Sequence, residues 1–146
     1  VIRLLLLGFI AMLICLLLQA LTLVVGARYF AHQARIPLGP HPRRTIFLQF
    51  AVLMTVLMAG IVVQVAIWAV IYRMLGAFDG FQSAIYFSGV TYTSLGYGDL
   101  LLTGRIRPLA PLQAANGLMM FAISTAAFIS AVQQAIAKWS ADPPPD

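Results

Sequence analysis

The three longest stretches of this chain without a charged residue each exceed 20 positions. They are the 24 positions between Arg3 and Arg28, the 28 between Arg44 and Arg73, and the 30 between Arg107 and Lys138. A helix crossing the hydrocarbon core of a bilayer needs about 20 predominantly apolar residues. These segments are therefore expected to span a membrane, near 4–27, 47–72 and 112–137. Composition supports this, because only 9% of the 146 residues are charged against about 25% in soluble domains. Pro108 and Pro111 stand just before the third segment, as expected of a helix start. A fourth apolar piece, 80–93, has 14 residues. That is too short to cross, and it is expected to be re-entrant. The first segment follows Arg3 and ends in a Val-Val-Gly-Ala run that could pass for a signal-peptide cleavage region. Signal cores run about 7–15 residues, so length favours a retained helix.

Between the second and third segments lies Thr91-Tyr92-Thr93-Ser94-Leu95-Gly96-Tyr97-Gly98-Asp99. Gly96 and Gly98 reach positive φ without the steric cost other residues meet. Alternating such conformations turns the carbonyls of Ser94, Leu95, Gly96 and Tyr97 to one side. A ring of those carbonyls, contributed by several chains, can replace the hydration shell of a potassium ion. Gly-Tyr-Gly alone is common in loops; its meaning comes from the short apolar helix before it and the spans on either side.

Residues 84–99, AIYFSGVTYTSLGYGD, resemble the pore helix and selectivity filter of the potassium-channel pore-module family, whose usual filter core is T-V-G-Y-G-D. The match runs from Gly96 to Asp99, with Ser94 and Leu95 in the first two places. More loosely, the resemblance covers an outer helix, pore loop and inner helix over residues 45–138. It implies a filter of Ser94, Leu95, Gly96, Tyr97 and Gly98, with K+ held at Ser94, Leu95, Gly96 and Tyr97. Filter support would come from Asp99, Tyr86, Phe87 and Thr93. Tyr86 stands where the family places an aromatic that holds the acid after the filter, and its phenol can donate to Asp99. Phe87 stands where a hydrogen-bonding Trp is frequent and cannot donate. Val90 stands where some branches carry Glu. Leu95 keeps the coordinating carbonyl, but its side chain is bulkier than Val and is expected to repack against the pore helix.

Asp79 and Gln82 are spaced as a capping box, which starts the pore helix at Gly80. The negative end of that helix would face a central cavity and favour a cation there. On the third span, Leu118, Phe121, Thr125, Ile129 and Gln133 recur at steps of three or four and are expected to line the cavity. On a helix this apolar, such a stripe also fits lipid or helix contact. Gly117 matches the family's hinge glycine, and close packing is the alternative. Asn116 is a buried amide in need of a partner, expected from the pore helix or a neighbouring copy. Ala114, Ala122, Ala126 and Ala127 permit close helix approach. On the first span, Gln19 and Thr22 offer weak interhelical hydrogen bonds.

Arg28, Arg35, Arg43 and Arg44 fall in one acid-free loop, which the positive-inside rule makes cytoplasmic. A filter entered from outside implies the same: N-terminus outside, C-terminus inside, in a plasma (inner) membrane. The net charge of +5 is spread around the spans, not gathered in a basic stripe with interleaved aromatics, so no nucleic-acid partner is expected. Cys15 is the sole cysteine and suggests neither disulfide nor metal site. His32 and His41 read as loop histidines, with pH sensing the less common alternative. No constellation of titratable groups suggests an enzyme, and no span carries the serial arginines of a voltage sensor.

The expected fold is an all-α integral membrane protein with three transmembrane helices, a re-entrant pore helix and a filter loop, forming a tetrameric pore. Its parts would be a peripheral transmembrane helix at 1–30, a basic cytoplasmic loop at 31–46 and a pore domain at 47–138. Within the pore domain fall an outer helix 47–74, pore helix 80–93, filter 94–98 and inner helix 112–138; a disordered tail occupies 139–146. One chain supplies one filter strand, so the family resemblance and symmetry imply a homotetramer in a lipid bilayer. Potassium enters only as the permeant ion, and no organic cofactor is expected. The expected function is a passive potassium channel. A weakly selective cation channel, and a non-conducting scaffold or subunit of a transport complex, are the alternatives.

Overall fold

The computed structural model describes residues 2–34 and 42–141. Arg35, His41 and the Pro-rich end from Asp142 to Asp146 lie outside the described residues, as does the side chain of Arg43. Among the described residues there are helices and no strands.

Three helices of 33 residues each, α1 (Ile2–Ala34), α2 (Pro42–Met74) and α4 (Leu109–Ala141), flank the 12-residue α3 (Phe81–Tyr92). At 1.5 Å per residue the long helices reach about 50 Å, while α3 covers roughly 18 Å. Each long helix is apolar and long enough to cross a membrane. They run past the uncharged stretches on both sides because Arg28, His32 and Arg44 are compatible with helix once outside the hydrocarbon. Pro42 opens α2 and Pro111 falls in the first turn of α4, where a missing amide costs nothing. A single 3-10 turn, Gly104–Ile106, precedes α4.

α1 and α4 run parallel and in register: Gln19 meets Ser124 and Gln33 meets Lys138, each pair 105 positions apart. α2 runs against both, with Gln64 beside Gln19 and Phe50 beside Phe30. Small residues let the helices approach. A Cβ on Gly60 would sit 2.9 Å from Thr22, and one on Gly26 would sit 3.0 Å from Leu53.

Between α2 and α4, α3 runs back down α2. Phe87 stacks its edge on Tyr72, and five residues later Tyr92 lies level with Gln64. Ten residues separate Gln64 from the end of α2 at Met74, so α3 descends about 15 Å into the bundle. The chain then climbs back without regular structure, and Leu102 is buried in the cluster that holds Phe87 and Leu109. A second cluster, around Phe30, Leu53, Leu57 and Ala131, closes the opposite end.

Two sequence expectations about helix contacts are corrected by the structure. Asp79 and Gln82 form no capping box. Gly80 is the N-cap in extended conformation (φ −119°, ψ 146°), no side chain caps the helix, and Asp79 falls one residue too early. Thr22 bonds the Gln19 carbonyl within its own helix at 2.8 Å, whereas the buried Gln19 side chain bonds both α2 and α4.

Candidate functional site

The C-terminal turn of α3 and the segment after it form one backbone unit. Thr93 is the C-cap, and Ser94 comes next with φ +58°. The Ser94 amide donates to the Thr91 carbonyl at 3.0 Å and the Leu95 amide to the Val90 carbonyl at 3.0 Å. These are the two nested bonds that commonly close a helix on a left-handed residue, a place usually held by Gly. Thr93 Oγ1 adds a third tie, donating to the Gly89 carbonyl at 2.8 Å.

Beyond the cap the sign of φ alternates. Ser94, Gly96 and Gly98 have φ of +58°, +58° and +79°, while Leu95 and Tyr97 between them stay negative. The two glycines meet the sequence expectation; Ser94 adds a left-handed residue that composition gave no reason to suspect. The segment takes no regular secondary structure. Ser94 to Asp99 are all exposed in the single chain. Leu95 is 55% exposed in the single chain, although its amide and that of Gly96 both donate to the Val90 carbonyl of α3. Beside them lies a cavity of about 540 Å³, lined by Val90, Thr91, Gly96, Gly98 and Arg107 among others.

At the far end of this return, the Tyr86 hydroxyl donates to Asp99 Oδ2 at 2.8 Å. That bond, then burial, then the charges of Asp99 and Tyr97 hold the phenol above its usual ionisation range. Tyr86 therefore stays a donor throughout the neutral range. Phe87 turns the other way, buried between Tyr72 and Phe78 with ring centroids 5.2 and 5.1 Å away.

Buried polar side chains fasten α3 to its neighbours. The Tyr72 hydroxyl donates to Gln113 Oε1 at 2.7 Å, Gln113 Nε2 donates to Ser88 Oγ at 2.7 Å, and Ser88 Oγ donates to the Val65 carbonyl at 2.7 Å. One turn on, the Tyr92 hydroxyl donates to Gln64 Oε1 at 2.7 Å. Gly117 is buried directly beneath, where an added Cβ would collide with the Tyr92 carbonyl oxygen. The structure gives this glycine a packing role. Asn116 is fully buried, and its side chain neighbours Cys15 of α1. Neither amide atom makes a hydrogen bond of ordinary geometry among the described residues.

The stripe on α4 divides. Leu118, Thr125, Ile129 and Gln133 are exposed on the face turned away from α1 and α2. Phe121 is half-buried and meets Tyr92 edge-on with centroids 6.0 Å apart. Sequence reasoning missed Tyr92, Gln64 and Gln113 as supports of this site. The available signal was the presence of glutamines inside otherwise apolar spans, where an unpartnered amide is costly.

No curated protein and no solved structure gives a significant match to the chain. Residues 52–134, which are 83 of the 146 and so more than half, match the ion channel family. The match takes in most of α2, all of α3, the 94–99 return and most of α4; α1 lies outside it. With three helices able to span a membrane, this is a multi-pass membrane protein, and the chain belongs to the ion channel family.

Proposed function

We propose that four copies of this chain form a passive, potassium-selective channel, with residues 94–98 as the filter. The observation that carries this is the alternation of φ at Ser94, Gly96 and Gly98, in an exposed strand at the C-terminal end of a short inward-running helix. Such alternation favours four successive carbonyls, those of Ser94, Leu95, Gly96 and Tyr97, on one side of the strand. Four strands around an axis would stack them into rings, with the Ser94 hydroxyls adding a further ring at the inner end. Potassium sheds its water into those rings at small cost, and neighbouring occupied sites speed exit by repulsion. In this reading α3 is a re-entrant pore helix whose C-terminal dipole favours a cation in the cavity below.

The exposed strip of Leu118, Thr125, Ile129 and Gln133 would line that cavity. The filter's own exposure is what a cyclic assembly would cover. Arg28, Arg44 and Lys138 sit at one end of the bundle; Asp79 and Asp99 sit at the other with Arg3, Arg73, Arg105 and Arg107. The acid-free loop holding Arg28, Arg35, Arg43 and Arg44 supports the first end in the cytoplasm by the positive-inside rule, as does a filter entered from outside, with the N-terminus outside and the plasma membrane as location.

A second reading, a weakly selective cation channel, is favoured by one observation: Leu95 is unpacked within its chain and a cavity lies behind the filter. Whether a rigid fit or carbonyl field strength confers selectivity is debated, so this feature bears on it directly. Flux into liposomes holding purified protein separates the readings. The proposal expects potassium uptake well above sodium uptake, abolished by Gly96→Ala in a chain that still assembles. Comparable uptake of both ions supports the second reading. Absence of flux for either ion, with the Gly96→Ala protein indistinguishable from wild type, supports a scaffold.

A further inference from the structure

We infer that Gln19, on the helix outside the family match, is a positioning residue for the filter, acting through Gln64 and Tyr92. The inference rests on the channel reading above and assigns α1 a part in it.

Gln19 lies mid-way along α1 and is 1% exposed. Its Nε2 donates to Ser124 Oγ of α4 at 2.9 Å, and its Oε1 accepts from Gln64 Nε2 of α2 at 2.9 Å. Gln64 Oε1 in turn accepts from the Tyr92 hydroxyl at 2.7 Å. The relay is directional, Tyr92 to Gln64 to Gln19 to Ser124, and takes one member from each of the four helices. Tyr92 is the last residue of α3, two positions before Ser94.

Each amide in the relay is held by the next. Without Gln19, the Gln64 amide has no acceptor inside an apolar bundle and gains by rotating to find one. That rotation withdraws Oε1 from Tyr92. The turn carrying the nested cap bonds of Ser94 and Leu95 then loses the side-chain anchor to α2 that the Tyr92 hydroxyl gives it. The other anchor, through Tyr72, Gln113 and Ser88, holds α3 one turn earlier and does not involve α1. A helix needed only to fill space beside the pore could be wholly apolar, since unsatisfied polar groups in hydrocarbon are costly. Instead, a glutamine sits where it can reach both α2 and α4, and its effect converges on the inner end of the filter.

The test uses the full chain in potassium-loaded liposomes, reading the potassium-to-sodium permeability ratio, the decay of flux with time and the melting temperature. Gln19→Leu should speed the decay roughly three- to tenfold, the size of one interhelical hydrogen bond in a membrane. Tyr92→Phe should do the same, and the double variant should be no worse than either alone, because both cut one relay. Gln19→Glu is the sharper variant. Its carboxyl oxygen accepts from the Gln64 amide whether or not the group carries its proton, and the Ser124 hydroxyl can either accept from it or donate to it. Decay and permeability ratio should then stay at wild-type values even where the melting temperature moves, whereas Gln19→Leu and Tyr92→Phe decay faster. Tyr92→Phe leaves α1 untouched and carries the comparison if Gln19→Leu does not assemble.

A Gln19→Leu protein that melts earlier but keeps the wild-type ratio and decay would reduce Gln19 to glue for α1 and overturn the inference. So would multiplying effects in the double variant, or a Gln19→Glu protein that decays as fast as Tyr92→Phe. In those cases wild-type flux leaves the channel reading standing. A wild type that conducts nothing removes that reading and this inference together.

Discussion

The two ends of α3 are built to different standards. At its start Gly80 is extended and open, no side chain caps the first turn, and Asp79, Phe81 and Gln82 are exposed. At its finish the backbone bonds of Ser94 and Leu95, the Thr93 hydroxyl, the Tyr92 phenol and the close approach of Gly117 all converge within two turns. Neither difference stems from helix propensity. Polar and small residues are spread evenly along α3, so the contacts they make, not their number, set apart the end from which the 94–98 segment departs.

That asymmetry breaks most readily at Gly117. Gly117→Ala drives a methyl into the Tyr92 carbonyl, and overpacking of this kind typically costs about 1–3 kcal/mol. The melting temperature in detergent should fall sharply. Gly80→Ala, by contrast, meets open space at negative φ and should leave it nearly unchanged. Equal effects at both positions would erase the distinction between the two ends.

A smaller effect is expected from Gln113→Leu, which removes the acceptor of the Tyr72 hydroxyl and the donor to Ser88. The loss should be about 1–2 kcal/mol, since a buried hydroxyl is left without a partner. Gln82→Ala at the open end makes and breaks no cap and should fall within about 0.5 kcal/mol of wild type. Chemical denaturation in mixed micelles reads both.

The unequal legibility of the two ends has a physical cause. The spans announce themselves because charge is excluded from hydrocarbon over many consecutive residues, and Gly96 and Gly98 announce positive φ because glycine alone adopts it freely. Ser94 gives no such notice: its left-handed backbone is set by the cap bonds to Thr91 and Val90, not by its side chain. Gln64 and Ser124 are separated by 45 and 105 positions from Gln19 and share no periodicity with it. Only the cost of an amide in an apolar span marks the glutamines, and it does not say which amides meet. At the other end, Asp79 and Gln82 have the spacing of a capping box, but the extended conformation at Gly80 moves the helix start by one residue. Asn116 was legible as buried, but nothing in the sequence placed Cys15 of α1 beside it.

The smallest expected effect concerns Tyr86. Its hydrogen bond to Asp99 is its largest source of upward shift. A phenol whose ionisation is raised on folding contributes fully below the ordinary tyrosine value near 10. The contribution is lost only as pH climbs through the raised value. Asp99→Asn should therefore lower the pH at which Tyr86 ionises, followed by ultraviolet difference absorption against Tyr86→Phe. Fold and melting temperature near neutral pH should barely move, since the pair is exposed. An unchanged titration would show that Asp99 does not hold the phenol.

The central claim is that residues 94–98 surround a path for potassium, and a structure of the purified assembly in potassium chloride tests it most directly. The account predicts four chains about one axis, with ion density on that axis level with the carbonyls of Ser94, Leu95, Gly96 and Tyr97. Chains that share no axis, or a 94–98 strand facing lipid with no ion beside it, would contradict it.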